Sequence, residues 1–206
     1  MAKSFDRKQL LDALDEVALA AIAANARLDI AVFGGSALML ASNFRFSTED
    51  VDIAELGQPW PDWLSDVVER IARRNRWSEH WLNDGVTFHL SALAIPARDL
   101  VAFGTYPRGH QEETGLTVFV PTARYMLALK LKALRVAEST KGAKDIDDVA
   151  NLLRVLDITD AAEAISILAE FFPRSAADAD KQRFVLKRIL SMKAPNDAPS
   201  YPRRGD

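Results

Sequence analysis

The chain has 206 residues, 49% of them apolar and 27% charged, which excludes wholesale disorder and allows one good core, or one domain with a helical extension. Its formal net charge of -3 argues against indiscriminate nucleic-acid binding, yet residues 1–123 are net acidic and residues 173–206 net basic, so a polyanion would meet the C-terminal part. There is no cysteine, hence no disulfide, thiolate metal site or cysteine nucleophile, and the expected compartment is the cytoplasm. No apolar run approaches the roughly 18 residues of a membrane span, and Met1-Ala2-Lys3-Ser4 reads as the lead into an amphipathic helix rather than a signal peptide.

Ser4 is the expected N-cap of a first helix, in which Leu10, Leu14, Val17 and Ala21 recur at helical spacing up to Asn25. Asp29 to Phe33 reads as a buried strand ended by Gly34-Gly35, Ser36 to Ala41 as a short helix, and Val51 to Ala54 as a second strand. Pro59 and Pro61 break the chain before a helix from Trp63 to Asn75 with Arg70, Arg73 and Arg74 on its polar side. Val86, Phe88 and Leu90 alternate with Thr87, His89 and Ser91, a half-buried strand pattern over 86–93. A loop through Gly104, Pro107, Gly109 and Gly115 follows, then a strand from Leu116 to Val120.

Pro121-Thr122 opens a helix that runs to Ala137, and everything beyond reads as helix: Asp145 to Leu156, Thr159 to Phe171, and Ser175 to Leu190 with Ser175 and Asp178 placed like a cap. The expected division is an α/β half over 1–121, a helical half over 122–192 and a frayed tail over 193–206. Trp63, Trp77 and Trp81 read as packing residues, and Trp60 as part of a turn between prolines.

The chemistry concentrates in Gly34-Gly35-Ser36 and in Arg45-Phe46-Ser47-Thr48-Glu49-Asp50-Val51-Asp52. Alternation along a strand puts Asp50 and Asp52 on one face, where two carboxylates repel unless a cation joins them. A glycine turn lets backbone amides approach a phosphate, so the combination points to metal-assisted handling of a nucleoside triphosphate. The alternative is a tight turn beside an edge strand with two exposed acids, Arg45 serving a salt bridge and Thr48 a turn.

This order of residues resembles the signature of nucleotidyltransferases with the DNA polymerase β-type fold, and in particular the bacterial abortive-infection (AbiEii-like) group of toxin–antitoxin systems. The resemblance implies an α+β fold: a small mixed sheet with flanking helices, followed by a C-terminal helical bundle. It implies that Gly34, Gly35 and Ser36 seat triphosphate oxygens and that Asp50 and Asp52 hold Mg²⁺, with Mn²⁺ as the alternative ion. Arg45 and Thr48 become nucleotide-binding candidates.

A second block extends the resemblance. The family's Lys-Leu-x-Ala-Leu helix, followed by a basic-Asp-x-x-Asp helix, is matched by Lys130-Leu131-Lys132-Ala133-Leu134 and by Lys144-Asp145-Ile146-Asp147-Asp148. On a helical wheel Lys130 falls within the stripe of Met126, Leu127, Ala133 and Leu134, so it must snorkel, pair with an acid or face a site. Asp145 and Asp148 either complement the first turn of their helix or orient Lys130 or a substrate, and the resemblance favours Asp148. Lys144 is open between nucleotide, RNA and water.

One departure stands out. The family carries a third carboxylate on a later strand, whereas 86–93 offers Thr87, His89 and Ser91, and Asp84 and Asp99 lie outside the alternation. The leading expectation is an enzyme moving a nucleotidyl group from an NTP to RNA, such as tRNA, or to a protein side chain, within a toxin–antitoxin system. The competing one is a degenerate nucleotide-binding antitoxin or regulatory protein on the same fold.

Overall fold

The structure is a computed structural model that describes residues 3–57, 59–109, 113–134, 141–192 and 198–202, with the backbone alone at 141 and 142. It is a mixed α+β fold whose Cα atoms cluster into two compact units: Met1–Ala41, Arg45–His89 and Leu100–Val120 in the first, and Ser42–Phe44, Leu90–Asp99 and Pro121–Asp206 in the second. Among the described residues no helix is long and apolar enough to cross a membrane.

The first unit opens with β1 (Phe5–Asp6), then α1 (Arg7–Ala23), β2 (Leu28–Val32), α2 (Gly34–Ala41), β3 (Ser47–Thr48), β4 (Val51–Glu55) and α3 (Asp62–Asn75). After β5 (Leu82–Asn83) come a 3₁₀ turn (Gly85–His89), β6 (Leu100–Tyr106) and β7 (Leu116–Pro121). The main sheet has the order β5-β4-β2-β7-β6, with β2 antiparallel to β4 but parallel to β7, and β4 parallel to β5. A separate ribbon pairs β1 with β3, Phe5 opposite Thr48 and Asp6 opposite Ser47.

That ribbon moves the expected helix start. Phe5 is buried, with its ring 4.3 Å from that of Trp77, and the pairing holds it extended, so the cap passes from Ser4 to Asp6. Asp6 and Gln9 then form a reciprocal capping box that satisfies two otherwise orphaned N–H groups. Leu10, Leu14, Val17 and Ala21 are buried as their spacing predicts, and Arg74 on α3 pairs with Glu16 on α1. Trp77 and Trp81 belong to the core, while Trp60 and Trp63 are half-buried. Gly115 leaves no room for a side chain: a Cβ there would strike the Ala18 carbonyl.

Two expectations fail in this unit. Residues 86–93 do not form a strand. Gly85 N–H donates to Asn83 Oδ1 and Thr87 N–H to the Asp84 carbonyl, which coils Gly85–His89 into a 3₁₀ turn and leaves Phe88 90% exposed. Conversely, the expected Gly/Pro loop contains the seven-residue strand β6, next to β7 at the sheet edge.

In the second unit, α4 (Pro96–Asp99) precedes α5 (Ala123–Ala133), α6 (Lys141–Val155), α7 (Ala161–Phe171), α8 (Pro173–Ala177) and α9 (Asp180–Ser191). Thr122 caps α5, and Asp160 caps α7. The expected extension of α5 over 135–137 lies outside the described residues. Helix α5 packs on α6 and α7, and α9 on α6 and α7. Last-turn carbonyls of α5 are satisfied by α9, where Gln182 Nε2 donates to Leu131 O at 3.2 Å and Lys181 Nζ to Leu134 O at 2.7 Å.

The single helix expected over 175–190 is broken: Asp178 leaves the helical region, Ala179 is buried, and α9 starts with no side-chain cap. Ser175 lies inside α8, so neither it nor Asp178 has the capping role expected. Within the segment expected to fray, Tyr201 is buried and donates its hydroxyl to the Pro121 carbonyl at 2.8 Å, and Ser200 N–H donates to Asn43 Oδ1. Residues 193–197 and 203–206 of that segment lie outside the described residues.

Candidate functional site

In the first unit, the glycine turn and the acidic strand meet. Strand β2 ends at Val32, paired with Ile53, and Phe33 N–H donates to the Asp52 carbonyl at 2.8 Å, so Asp52 is held beside the start of α2. Gly34 has φ +64°, a left-handed conformation that penalises any residue with a side chain. Space makes the same demand, since a Cβ on Gly34 would sit 2.9 Å from Asp52 Oδ2. On Gly35 a Cβ would sit 3.0 Å from Arg45 Nη2 and 3.5 Å from Thr48 Oγ1. The bare glycines therefore form a floor on which a carboxylate, a guanidinium and a hydroxyl converge.

The guanidinium and the hydroxyl each have a fixing contact. Arg45 Nε donates to Ser47 O at 3.3 Å, and Thr48, buried in β3, donates its hydroxyl to Asp50 O at 3.1 Å with Asp50 Oδ1 3.4 Å away. Asp50 is exposed, one residue ahead of β4, while Asp52 is half-buried within it, and Val51 and Ile53 between and after them are fully buried. Burial alternates from Asp50 to Ile53 as the sequence pattern predicts, although Asp50 itself precedes the strand. Ser36 is buried, and its hydroxyl donates to Phe33 O at 2.8 Å. What Ser36 offers an anion is thus its backbone N–H, one of the first N–H groups of a helix, which lack intrahelical acceptors.

The parallel pairing of β4 with β5 places Asp52 in register with Asn83. In-register residues of paired strands share a face, so the neighbour of Asp52 there is an amide. Asn83 Nδ2 donates to His80 O, and its Oδ1 accepts from Gly85 N–H. Sequence reasoning missed Asn83, because its significance comes from a strand pairing far apart in the chain. Asp84 and His89 are exposed; Asp99 is buried, accepts from Ile95 N–H and pairs with Arg98 at 2.8 Å. Among the described residues no three His, Cys, Asp or Glu side chains converge as a metal-holding group.

Two carboxylates nonetheless suit Mg²⁺, which commonly takes one or two protein carboxylates and completes its octahedron with water and substrate phosphate. Asp52 Oδ2 packs over Gly34, where a Cβ would crowd it.

In the second unit, Lys130 lies between two carboxylates of α6, 2.7 Å from Asp148 and 3.2 Å from Asp145. The Lys130 side chain is 11% exposed and that of Asp148 only 3%. The lysine in the apolar stripe is resolved by pairing, not by snorkelling. Because α6 begins at Lys141, Asp145 and Asp148 lie beyond its first turn, which removes the helix-dipole explanation for them. Lys144 and Asp147 are exposed, Ala133 leaves the expected stripe for the surface, and Lys132 lies 4.3 Å over the Phe172 ring.

Two cavities of about 390 and 400 Å³ share Trp60 in their walls; the first lies along Leu28–Ile30 and Glu55, toward the other end of β2 and β4 from the glycine turn, and the second is lined by Leu82, Asn83 and Asp84 beside α3. Glu55, lining the first, has its carboxyl pushed above the usual range by burial, with the charge of Asp84 adding to the effect. Neither cavity is lined by Gly34, Asp50 or Asp52.

Comparison with known protein families, curated proteins and solved structures returns no match. The functional reading rests on the residues and their geometry.

Proposed function

We propose that the chain is a Mg²⁺-dependent nucleotidyltransferase with a polymerase β-type nucleotide site, followed by a helical bundle. The observation that carries this reading is the packing of Asp52 Oδ2 and Arg45 Nη2 against the side-chain-free surfaces of Gly34 and Gly35. Asp50 and Asp52 would hold Mg²⁺ or Mn²⁺. When bound, the ion would supply charge neutralisation at the triphosphate.

Around that ion, backbone N–H groups of Gly35 and Ser36 receive phosphate oxygens at the positive end of α2, and the Arg45 guanidinium pairs with the same oxygens. Thr48 fixes Asp50 through its hydroxyl. An acceptor hydroxyl attacks the α-phosphorus, forming one P–O bond as the bond to the pyrophosphate oxygen breaks, and the hydroxyl proton passes to water. Within the second unit, Lys130, with its ammonium fixed by Asp145 and Asp148, is the catalytic cation the resemblance implies. Lys144 is a further cation for nucleotide or RNA. We take the acceptor to be RNA, with tRNA the leading example or a protein side chain in its place, and the setting to be a cytoplasmic toxin–antitoxin system.

A second reading is favoured by one observation, the amide of Asn83 beside Asp52. It makes the protein a nucleotide-binding antitoxin or regulator without turnover. Incubation with Mg²⁺, each labelled NTP and total RNA, alongside Asp50→Ala and the double variant Lys130→Met with Asp148→Leu, separates the two. Label transfer lost in both variants supports catalysis; NTP binding without transfer supports the regulator; neither binding nor transfer rejects both.

A further inference from the structure

Helix α9 turns Gln182, Val185, Leu186 and Ile189 inward, where all four are buried. At 100° per residue its opposite face carries Lys181, Arg183, Phe184, Lys187 and Arg188, all exposed. Phe184 is 68% exposed, and the positions three before, three after and four after it are Lys181, Lys187 and Arg188. Residues at these spacings are neighbours on a helix surface, so the ring is flanked by three cations and, four positions before it, by Asp180. The acid of this helix, Asp180, pairs with Arg183 at 3.1 Å. Lys181 is anchored on the Leu134 carbonyl, which leaves Lys187 and Arg188 as the cations beside the ring best able to reach a ligand.

We propose that this face of α9 binds single-stranded RNA, with Phe184 stacking on an unpaired base while Lys187 and Arg188 meet the flanking phosphates. An aromatic face amid cations matches the two chemistries that alternate along a single strand, stacking surface and backbone charge. A purely acidic protein partner would satisfy the cations and leave the ring unused. A membrane surface would demand a broad apolar stripe, and the apolar stripe of α9 is turned into the fold. The charge distribution agrees, since residues 1–123 are net acidic and repel a polyanion from the rest of the chain. The role of this face in holding an acceptor rests on the nucleotidyl-transfer reading; the binding itself does not.

The test is anisotropy of a short labelled uridine-rich RNA with the full chain, without metal or nucleotide, over a range of salt. Phe184→Ala is expected to weaken binding roughly 5- to 150-fold with an unchanged salt slope, and Phe184→Trp to retain it. Lys187→Gln with Arg188→Gln is expected to weaken binding and flatten the log–log salt slope by about 1.4. A duplex of the same length should bind more weakly, because its bases are not open to the ring.

Phe184→Ala binding like the parent, or duplex binding as tightly as single strand, overturns the proposal. So does binding to anionic vesicles in place of RNA, or self-association abolished by Phe184→Ala. Thermal melts of each variant check that these outward substitutions leave the fold intact. RNA binding with no nucleotidyl transfer would count against the enzyme reading alone, and transfer with no contribution from Phe184 against this inference alone.

Discussion

Asp52 on β4 and Asn83 on β5 are in-register partners in a parallel ladder, so a carboxylate and an amide stand side by side on one face of the sheet. Asn83→Asp would set a third carboxylate beside the expected metal pair. Without divalent metal, repulsion between the acids should lower the thermal midpoint; Mg²⁺ or Mn²⁺ should restore it, more so than in the parent. Melting curves with and without Mn²⁺, together with Mn²⁺ titration, check this. An equal metal response in both proteins would show that Asn83 does not adjoin an ion site.

The two glycines should respond differently to alanine. Gly34→Ala forces a side chain into a left-handed residue at φ +64° and against Asp52 Oδ2, for a loss of about 1–2 kcal/mol in stability together with nucleotide affinity. Gly35→Ala meets mainly the far end of Arg45, which can move aside. It should leave stability nearly unchanged while weakening NTP binding. Denaturant midpoints paired with nucleotide titration resolve the two effects, and a Gly35→Ala protein that binds NTP normally would argue against phosphate at that turn.

Lys130 and Asp148 should behave as a coupled buried pair. Lys130→Met leaves the Asp148 carboxylate, 3% exposed, without its ammonium, a change worth about 3–5 kcal/mol. Adding Asp148→Leu removes that buried charge and should recover most of the loss, with Asp145 more open to water. The double variant separates stability from catalysis: refolded but inactive protein assigns the Lys130–Asp148 pair a part in transfer, and full activity removes the pair from the reaction. A double-mutant cycle by chemical denaturation measures the coupling.

Alkaline pH gives an independent check on the core. The chain has three tyrosines, and burial raises all of them above the ordinary value of 10, Tyr106 to about 12. For Tyr125 the hydrogen bond from Ser91 N–H to its oxygen partly opposes the rise. A phenol whose folded value is raised contributes stability that is complete below pH 10 and is lost as pH climbs toward the folded value. Phenolate absorbance should therefore stay low near pH 10 and appear together with unfolding at higher pH. A third of the signal titrating at 10 in folded protein would place one ring outside the core.

Much of this was legible in local pattern. The Asp29–Phe33 run, the glycine turn and the Val51–Ala54 alternation each carry their own periodicity, and the helical wheel of α5 poses the Lys130 problem that α6 answers. The alternation at Val86–Leu90 misled because Asp84-Gly85 initiates a turn whose hydrogen bonds override it. Strand β6 was hidden by Gly104 and the turn residues after it, although Leu100 and Tyr106 are buried at its ends. The cap at Asp6 depended on β3, and the partner of Asp52 depended on β5. Both are pairings between distant segments that no local window contains.

The place of β2 between β4 and β7 has a consequence for how the protein is made. Its partner on one side follows after one short helix, but Leu28 must wait for Leu116 on the other. During synthesis that edge of β2 stands bare until the ribosome has released most of the first unit, so β2 and β4 pair early and the sheet closes late. A nascent chain stalled before Leu116 would carry the complete Gly34–Asp52 sequence with one flank of its supporting strand unpaired, exposed to chaperones and to mispairing.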